Sequence, residues 1–288
     1  VAVRSAASGA YASFAELLPD IHRFLDVAQS DQRPFFLYVH SMDTHTPMHF
    51  HPGHDAWRDQ PERLKGRGAY DSEIHYTDHH VGLLVERLRE SQLLDETIFV
   101  FTSDHGEEFF EHGKALHASY YAECTSVPLL VRTPDTADQP GTAAPLVSHV
   151  DLLRTFLDYA GGSEPSPAND FSASAGRSLR PWLEGGTGRE RPFMPFDRFG
   201  RLLALRTREA AVVRTRGEWF LEREGGTLLL EDAPPAEREG WLTWIGTEEA
   251  ELAAAMARMG KTSKRSRVQR PTAAEHRELR SLGYTGDD

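Results

Sequence analysis

Phe99-Val100-Phe101-Thr102-Ser103-Asp104-His105-Gly106-Glu107 is the stretch on which the fold turns. Its apolar, partly β-branched first half predicts a short buried strand over 98–102. At the carboxyl end of that strand stand a carboxylate, an imidazole and a glycine. Open α/β sheets gather their ligands at the carboxyl ends of strands. Side chains alternate faces along a strand, so Asp104 and His105 converge only if the strand breaks, and Gly106 permits the break. Oxygen beside imidazole nitrogen suits a divalent cation. Taken alone, the dipeptide also fits a turn that caps the next helix, Asp being a good cap residue.

The surroundings extend the pattern. Upstream, Phe14, Leu17, Leu18, Ile21, Phe24, Leu25 and Ala28 recur at helical spacing and predict a helix over 11–30. Pro34 opens the apolar run Phe35–His40, a second expected strand. The polar stretch 41–67 is long for a loop in a folded domain, and such loops are often functional. Residues 69–92 read as a long amphipathic helix. Downstream, Val127–Arg132 predicts a third strand, and Val150–Tyr159 a helix stopped by Gly161-Gly162. Strands alternating with helices predict an α/β core with a mostly parallel sheet. Past the Ser/Pro/Gly/Ala-rich 163–178 the pattern changes. Glu209–Thr215, Glu218–Arg223 and Gly226–Leu230 are short segments between turn signals and predict an antiparallel meander. Two helices, over 247–259 and 272–282, are expected to close the chain.

Composition excludes several classes of function. In 288 residues, 32 Lys and Arg face 44 Asp and Glu, for a net charge of −12. That balance opposes a general nucleic-acid binder, which needs a basic face for phosphates. The basic stretch Lys261–Arg270 reads as a solvated linker. One cysteine excludes a disulfide scaffold and a Cys-rich zinc site. No apolar run approaches the about 18 residues of a membrane-spanning helix. The chain starts at Val1 with no signal peptide, which fits a processed protein or a piece of a longer one.

Three strand-end loops carry His or Asp: Asp43 and His45 in the first, Asp104 and His105 in the second, His112, Lys114 and His117 before the third strand. In a parallel sheet such loops share one edge, where distant residues can assemble a site. Cationic side chains beside a metal suit a tetrahedral oxyanion such as sulfate or phosphate.

These segments resemble the sulfatases of the alkaline phosphatase superfamily. The resemblance is carried by Pro34–His40 with Asp43-Thr44-His45-Thr46-Pro47, by Tyr70–Ile74 through Val81-Gly82, and by Thr102–Glu107. It continues through Glu111-His112-Gly113, Val127–Val131, Val147–Leu153, Gly176–Leu179 and Leu279–Tyr284, in the family's order. It implies an alkaline-phosphatase-like α/β sandwich with a mostly parallel central sheet, incomplete in this chain, and a small C-terminal α+β subdomain with an antiparallel sheet. The implied division is a helical lead-in (1–33), a portion of the catalytic core (34–162) and the C-terminal subdomain (163–288).

By the same resemblance, Asp104 and His105 match a pair of metal ligands, and His45 matches a histidine that contacts the sulfate group. His117 lies at the distance before Val127 where relatives place a lysine or histidine that touches the leaving group or a sulfate oxygen; Lys114 is the alternative for that role. His112 is assigned a supporting role, and His79 and His80 a surface or packing one. One divalent metal is implied, calcium first by family, with manganese, magnesium or zinc also open because His105 offers nitrogen. The implied activity is hydrolysis of a sulfate ester of a small molecule or glycan, in a periplasmic or extracellular setting. A phosphonate monoester or phosphodiester hydrolase, a phosphoethanolamine-type transferase and a non-catalytic module of the same fold are the alternatives.

Relatives use a formylglycine nucleophile made within C-x-P-x-R or its Ser variant. Cys124 is followed by Thr125-Ser126-Val127-Pro128, which does not fit, so Cys124 reads as a small buried hydrophobe. The family's first Asp-Asp metal pair is absent as well. Both features are expected upstream of this chain, and little turnover is expected of the 288 residues alone.

Overall fold

Ser13 and Glu16 start the first helix reciprocally. The Glu16 N–H donates to Ser13 Oγ at 3.2 Å, and the Ser13 N–H donates to Glu16 Oε2 at 3.0 Å. This capping box satisfies two of the amides that a helix start leaves open. The Phe14 N–H finds a third acceptor in the buried Asp43 carboxylate, 2.8 Å away. Helix α1 (Phe14–Asp31) then buries Phe14, Leu18, Ile21 and Leu25, the stripe expected from their spacing.

The computed structural model describes residues 12–31, 33–56, 58–59, 65–113, 115–117, 119–136, 140–143, 145–162, 176–188, 194–198 and 201–262. The chain divides into two units between Thr97 and Ile98. In the first, α1 packs with helix α2 (Lys65–Glu90). Residues 35–40, expected as a strand, form no ladder among the described residues, and Phe36 and Tyr38 are 73% and 75% exposed. An apolar run becomes a strand only when a neighbour takes up its backbone N–H and C=O groups.

The second unit opens with strand β1 (Phe99–Thr102), followed by the two-residue strands β2 (Glu108–Phe109) and β3 (Ala115–Leu116) and the short helix α3 (Ala122–Thr125). Strand β4 (Leu129–Arg132) pairs with β1 antiparallel, Phe99 opposite Arg132 and Thr102 opposite Leu129. Thus the strands predicted on either side of the Asp-His pair exist, but their mutual direction is antiparallel. Among the described residues every strand pair is antiparallel. Helices α4 (Val150–Tyr159) and α5 (Arg180–Leu183) follow.

The meander, expected from three segments, has two further strands ahead of them and runs in sequence order: β5 (Met194–Arg198), β6 (Arg201–Arg206), β7 (Ala210–Thr215), β8 (Glu218–Arg223) and β9 (Gly226–Leu229). Arg216 and Gly217, both at positive φ, make the two-residue turn from β7 to β8. Leu205, Val212 and Leu221 stand opposite one another across three strands and share a core with Trp241 and Ile245 of helix α6 (Pro235–Thr262). Ala204, Ala211 and Val213 pack with Tyr121 in a separate cluster. Period-two alternation thus gives this sheet two covered faces. The last helix begins at Pro235 rather than near 247, and the one expected over 272–282 lies outside the described residues. Among the described residues no helix is long and apolar enough to cross a membrane.

Leu205 is fully buried at the centre of the sheet. Leu205→Ala is expected to destabilise the protein by about 2–5 kcal/mol, through lost transfer energy and the cavity left behind. Urea denaturation followed by circular dichroism of wild type and variant checks this.

Candidate active site

The turn after β1 is built by close backbone approach. Thr102 Oγ1 donates to the Pro128 carbonyl at 2.8 Å, tying the strand end to the start of β4. The Gly106 N–H donates to the Cys124 carbonyl at 2.9 Å. A Cβ at Gly106 would stand 2.0 Å from the Glu123 carbonyl oxygen. Only a residue without Cβ lets the strand end lie flat against α3. The break that the sequence reading assigned to Gly106 is therefore imposed by contact with α3, and its φ is not positive.

Asp104 and His105 project from this turn. Asp104 Oδ1 accepts the His105 N–H at 3.0 Å, and Oδ2 lies 3.7 Å from His105 Nε2. His105 Nδ1 lies 2.9 Å from the Gly106 carbonyl oxygen. A carbonyl can only accept, so Nδ1 carries the proton and a neutral ring keeps its lone pair on Nε2, the nitrogen facing Asp104. A metal-binding histidine ordinarily donates its other N–H to a carbonyl or carboxylate in this way. The pair therefore presents one oxygen and one nitrogen donor already oriented.

His117 stacks on His105, with ring centroids 4.1 Å apart and planes inclined at 28°. Its Nδ1 lies 3.7 Å from Glu107 Oε2. Side-chain exposure falls from 54% at Asp104 through 29% at His105 and 13% at His117 to 5% at Glu107. The group thus runs from an open mouth to a buried carboxylate floor. Asp104, His105 and His117, singled out separately in the sequence, are brought together.

His45 belongs to the first unit, in a turn where its N–H donates to the Met42 carbonyl at 3.0 Å and its Nδ1 meets the Thr46 carbonyl at 2.7 Å. Lys114 lies outside the described residues. Cys124 is a buried free thiol whose pKa burial pushes up, which suits packing rather than nucleophilic attack. His112 stacks on Tyr121 at 3.7 Å and approaches Glu123 Oε2 at 3.2 Å. With Glu222 of β8 these two form a trio whose ligand-type atoms lie within 4.8 Å of one another. Glu222, however, also accepts from Arg206 at 2.7 Å and from the Ala122 N–H at 3.2 Å, so the trio is tied into ion pairs and an amide cap.

Sequence reasoning gave no role to Glu107 or Glu222. Glu107 sits inside the decisive segment, and its signal is a carboxylate two residues past the metal pair. Glu222 gives none, because its contact with Ala122 joins residues about a hundred apart in the chain.

A family model described as Sulfatase matches residues 4–163. The matched stretch contains His45, Asp104, His105 and His117 and stops before the meander. An N-acetylglucosamine-6-O-sulfatase from Bacteroides thetaiotaomicron is 36% identical over 115 residues, 40% of this chain and 20% of that protein. Human arylsulfatase A is 34% identical over 172 residues, 57% of this chain and 31% of that protein. This chain thus spans between a fifth and a third of these relatives' length. Among solved structures, the sulfatase yidJ from Bacteroides fragilis superposes with a TM-score of 0.60 at 20% identity, over 81% of this chain and 56% of that one, which shows the fold.

Proposed function

The chain belongs to the sulfatase family, and from that premise we propose that it carries part of the active site of an enzyme hydrolysing sulfate esters of small molecules or glycans. The observation that carries the reading is the convergence of Asp104, His105 and His117 on one strand-end turn, with Glu107 beneath.

Asp104 and His105 would hold a divalent cation, and the donor set fits: an exposed carboxylate oxygen beside an imidazole nitrogen whose partner nitrogen is spoken for. Such a cation supplies Lewis acidity toward a sulfate oxygen. The mixed donors suit manganese or zinc better than calcium, which prefers an all-oxygen shell. His117 lies deeper, stacked on His105, and holds the proton that the leaving oxygen takes as the S–O bond breaks. Glu107, at its Nδ1 side, orients the ring. The motif for a formylglycine does not occur in these 288 residues, and no side chain here is assigned as nucleophile.

The test is leaving-group dependence in the intact enzyme. His117→Ala is expected to lower kcat/KM for an alkyl sulfate by about 10²–10⁴-fold, the usual range for a lost general acid. The loss should be much smaller for 4-nitrophenyl sulfate, whose phenolate leaves without a proton. Equal losses on both substrates would remove His117 from that role.

A further inference from the structure

Five of the chain's 14 histidines crowd one patch of the first unit: His51, His54, His75, His79 and His80. Two of them are in structural service. His51 Nε2 meets the buried Glu73 carboxylate at 2.6 Å, and its ring lies flat on Tyr76 at 3.8 Å. His80 Nδ1 donates to the Tyr76 carbonyl at 2.8 Å. His54 meets both His75 and His79. His75 and His79 stand one turn apart on α2, the i, i+4 spacing that puts two side chains on the same helical face. His54 leans over them from the loop, its Nδ1 at 3.2 Å from His75 Nδ1 and its ring centroid 5.3 Å from that of His79.

We propose that His54, His75 and His79 form a site for a borderline divalent transition ion, zinc being the first choice, which fastens loop 49–55 to α2. Two nitrogens bound to zinc at about 2.0–2.1 Å in tetrahedral geometry lie about 3.3 Å apart, which matches the His54–His75 separation. Imidazole donors select zinc, nickel or copper over calcium and magnesium. The loop is set in place beforehand. The His49 N–H donates to Glu73 Oε1 at 2.7 Å, the His51 N–H to Ser72 Oγ at 3.2 Å, and the His54 N–H closes a turn on the His51 carbonyl at 2.9 Å. His54 is therefore presented to the helix by anchored backbone, so binding need not order it. Burial, then the neighbouring His75, His79, His80 and His51 imidazoles, lower the His54 pKa. As the rings stand their nitrogens do not all converge within ligand distance, and His79, being exposed, is free to rotate toward the other two.

Calorimetric titration of the intact protein, untagged and stripped of metal, with Zn²⁺ alone tests the site, with Co²⁺ absorption as a second reading. Asp104→Ala is expected to retain one equivalent of Zn²⁺ and a tetrahedral Co²⁺ band. His54→Ala and His75→Ala, each in the Asp104→Ala background, should weaken that equivalent by more than about a hundredfold, beyond the usual effect of losing an outer-shell partner. Zn²⁺ should raise the melting temperature of Asp104→Ala and not that of these double variants. Their metal-free melting temperatures report whether they fold. Binding that disappears entirely in Asp104→Ala, or that survives unchanged in His54→Ala/His75→Ala, overturns the proposal. Neither result bears on sulfate-ester hydrolysis, which His54 and His75 are expected to leave intact.

Discussion

Asp104→Ala in the intact enzyme is expected to reduce sulfate-ester hydrolysis by about a thousandfold or more. A Lewis-acid contribution of several kcal/mol stands behind that figure, at about 1.4 kcal/mol per tenfold in rate. The mutation removes the only carboxylate that stands beside His105 Nε2 among the described residues, and it removes the acceptor for the His105 N–H. Two signatures separate loss of a ligand from general damage. Metal bound per active site should fall together with the rate, and the melting temperature should change little, because Asp104 is more than half exposed. Assay of 4-nitrophenyl sulfate hydrolysis with metal analysis of the same sample checks both. Activity within about tenfold of wild type would remove Asp104 from the site.

Gly106→Ala is expected to act through the backbone instead. The new methyl would lie 2.0 Å from the Glu123 carbonyl oxygen, an atom that cannot rotate away as a side-chain tip could. Either the turn lifts off α3 or the helix shifts. Both break the Gly106 N–H bond to the Cys124 carbonyl. A cost of about 3 kcal/mol is expected, the upper part of the usual range for overpacking. That corresponds to a fall in melting temperature of about 6–12 °C for a unit of this size. Activity should fall as well, because Gly106 sits between His105 and Glu107 and its carbonyl accepts the hydrogen bond from His105 Nδ1. Thermal unfolding by calorimetry and a kcat measurement well below the transition distinguish the two effects. A variant with wild-type stability and wild-type rate would refute the close-approach account.

What the sequence makes legible here is what local chemistry determines. The apolar run ending in Asp104-His105-Gly106 announces both a strand and the polar turn after it, and β1 and the turn are where that reading puts them. The Arg216-Gly217 and Glu224-Gly225 turns announce a meander in the same way. Pairing is not local. Val100 faces Val131 across a loop that no periodicity encodes, so the antiparallel sense of β1 and β4 is invisible in either segment. Phe35–His40 shows the converse, a strand-like composition with no ladder among the described residues. Helix α6 starts at Pro235 because proline suits a first helical turn, a signal present in the sequence, while Trp241 and Ile245 show the i, i+4 spacing that the core uses. The roles proposed for His45, Asp104, His105 and His117 came from family likeness. Glu107 became meaningful only when His117, ten residues on, was folded back beside it.

The Glu222 contact has a temporal side. This side chain accepts the Ala122 N–H, next to the Glu123 carbonyl that meets Gly106. During synthesis the Asp104–Gly106 turn leaves the ribosome about a hundred residues before Glu222 does. At roughly 5–20 residues per second, that interval is about 5–20 s. For that time the Asp104–Gly106 turn exists without the residue that caps its supporting helix. A nascent chain halted between the two would carry every candidate site residue of this chain and still lack the contact that seats α3.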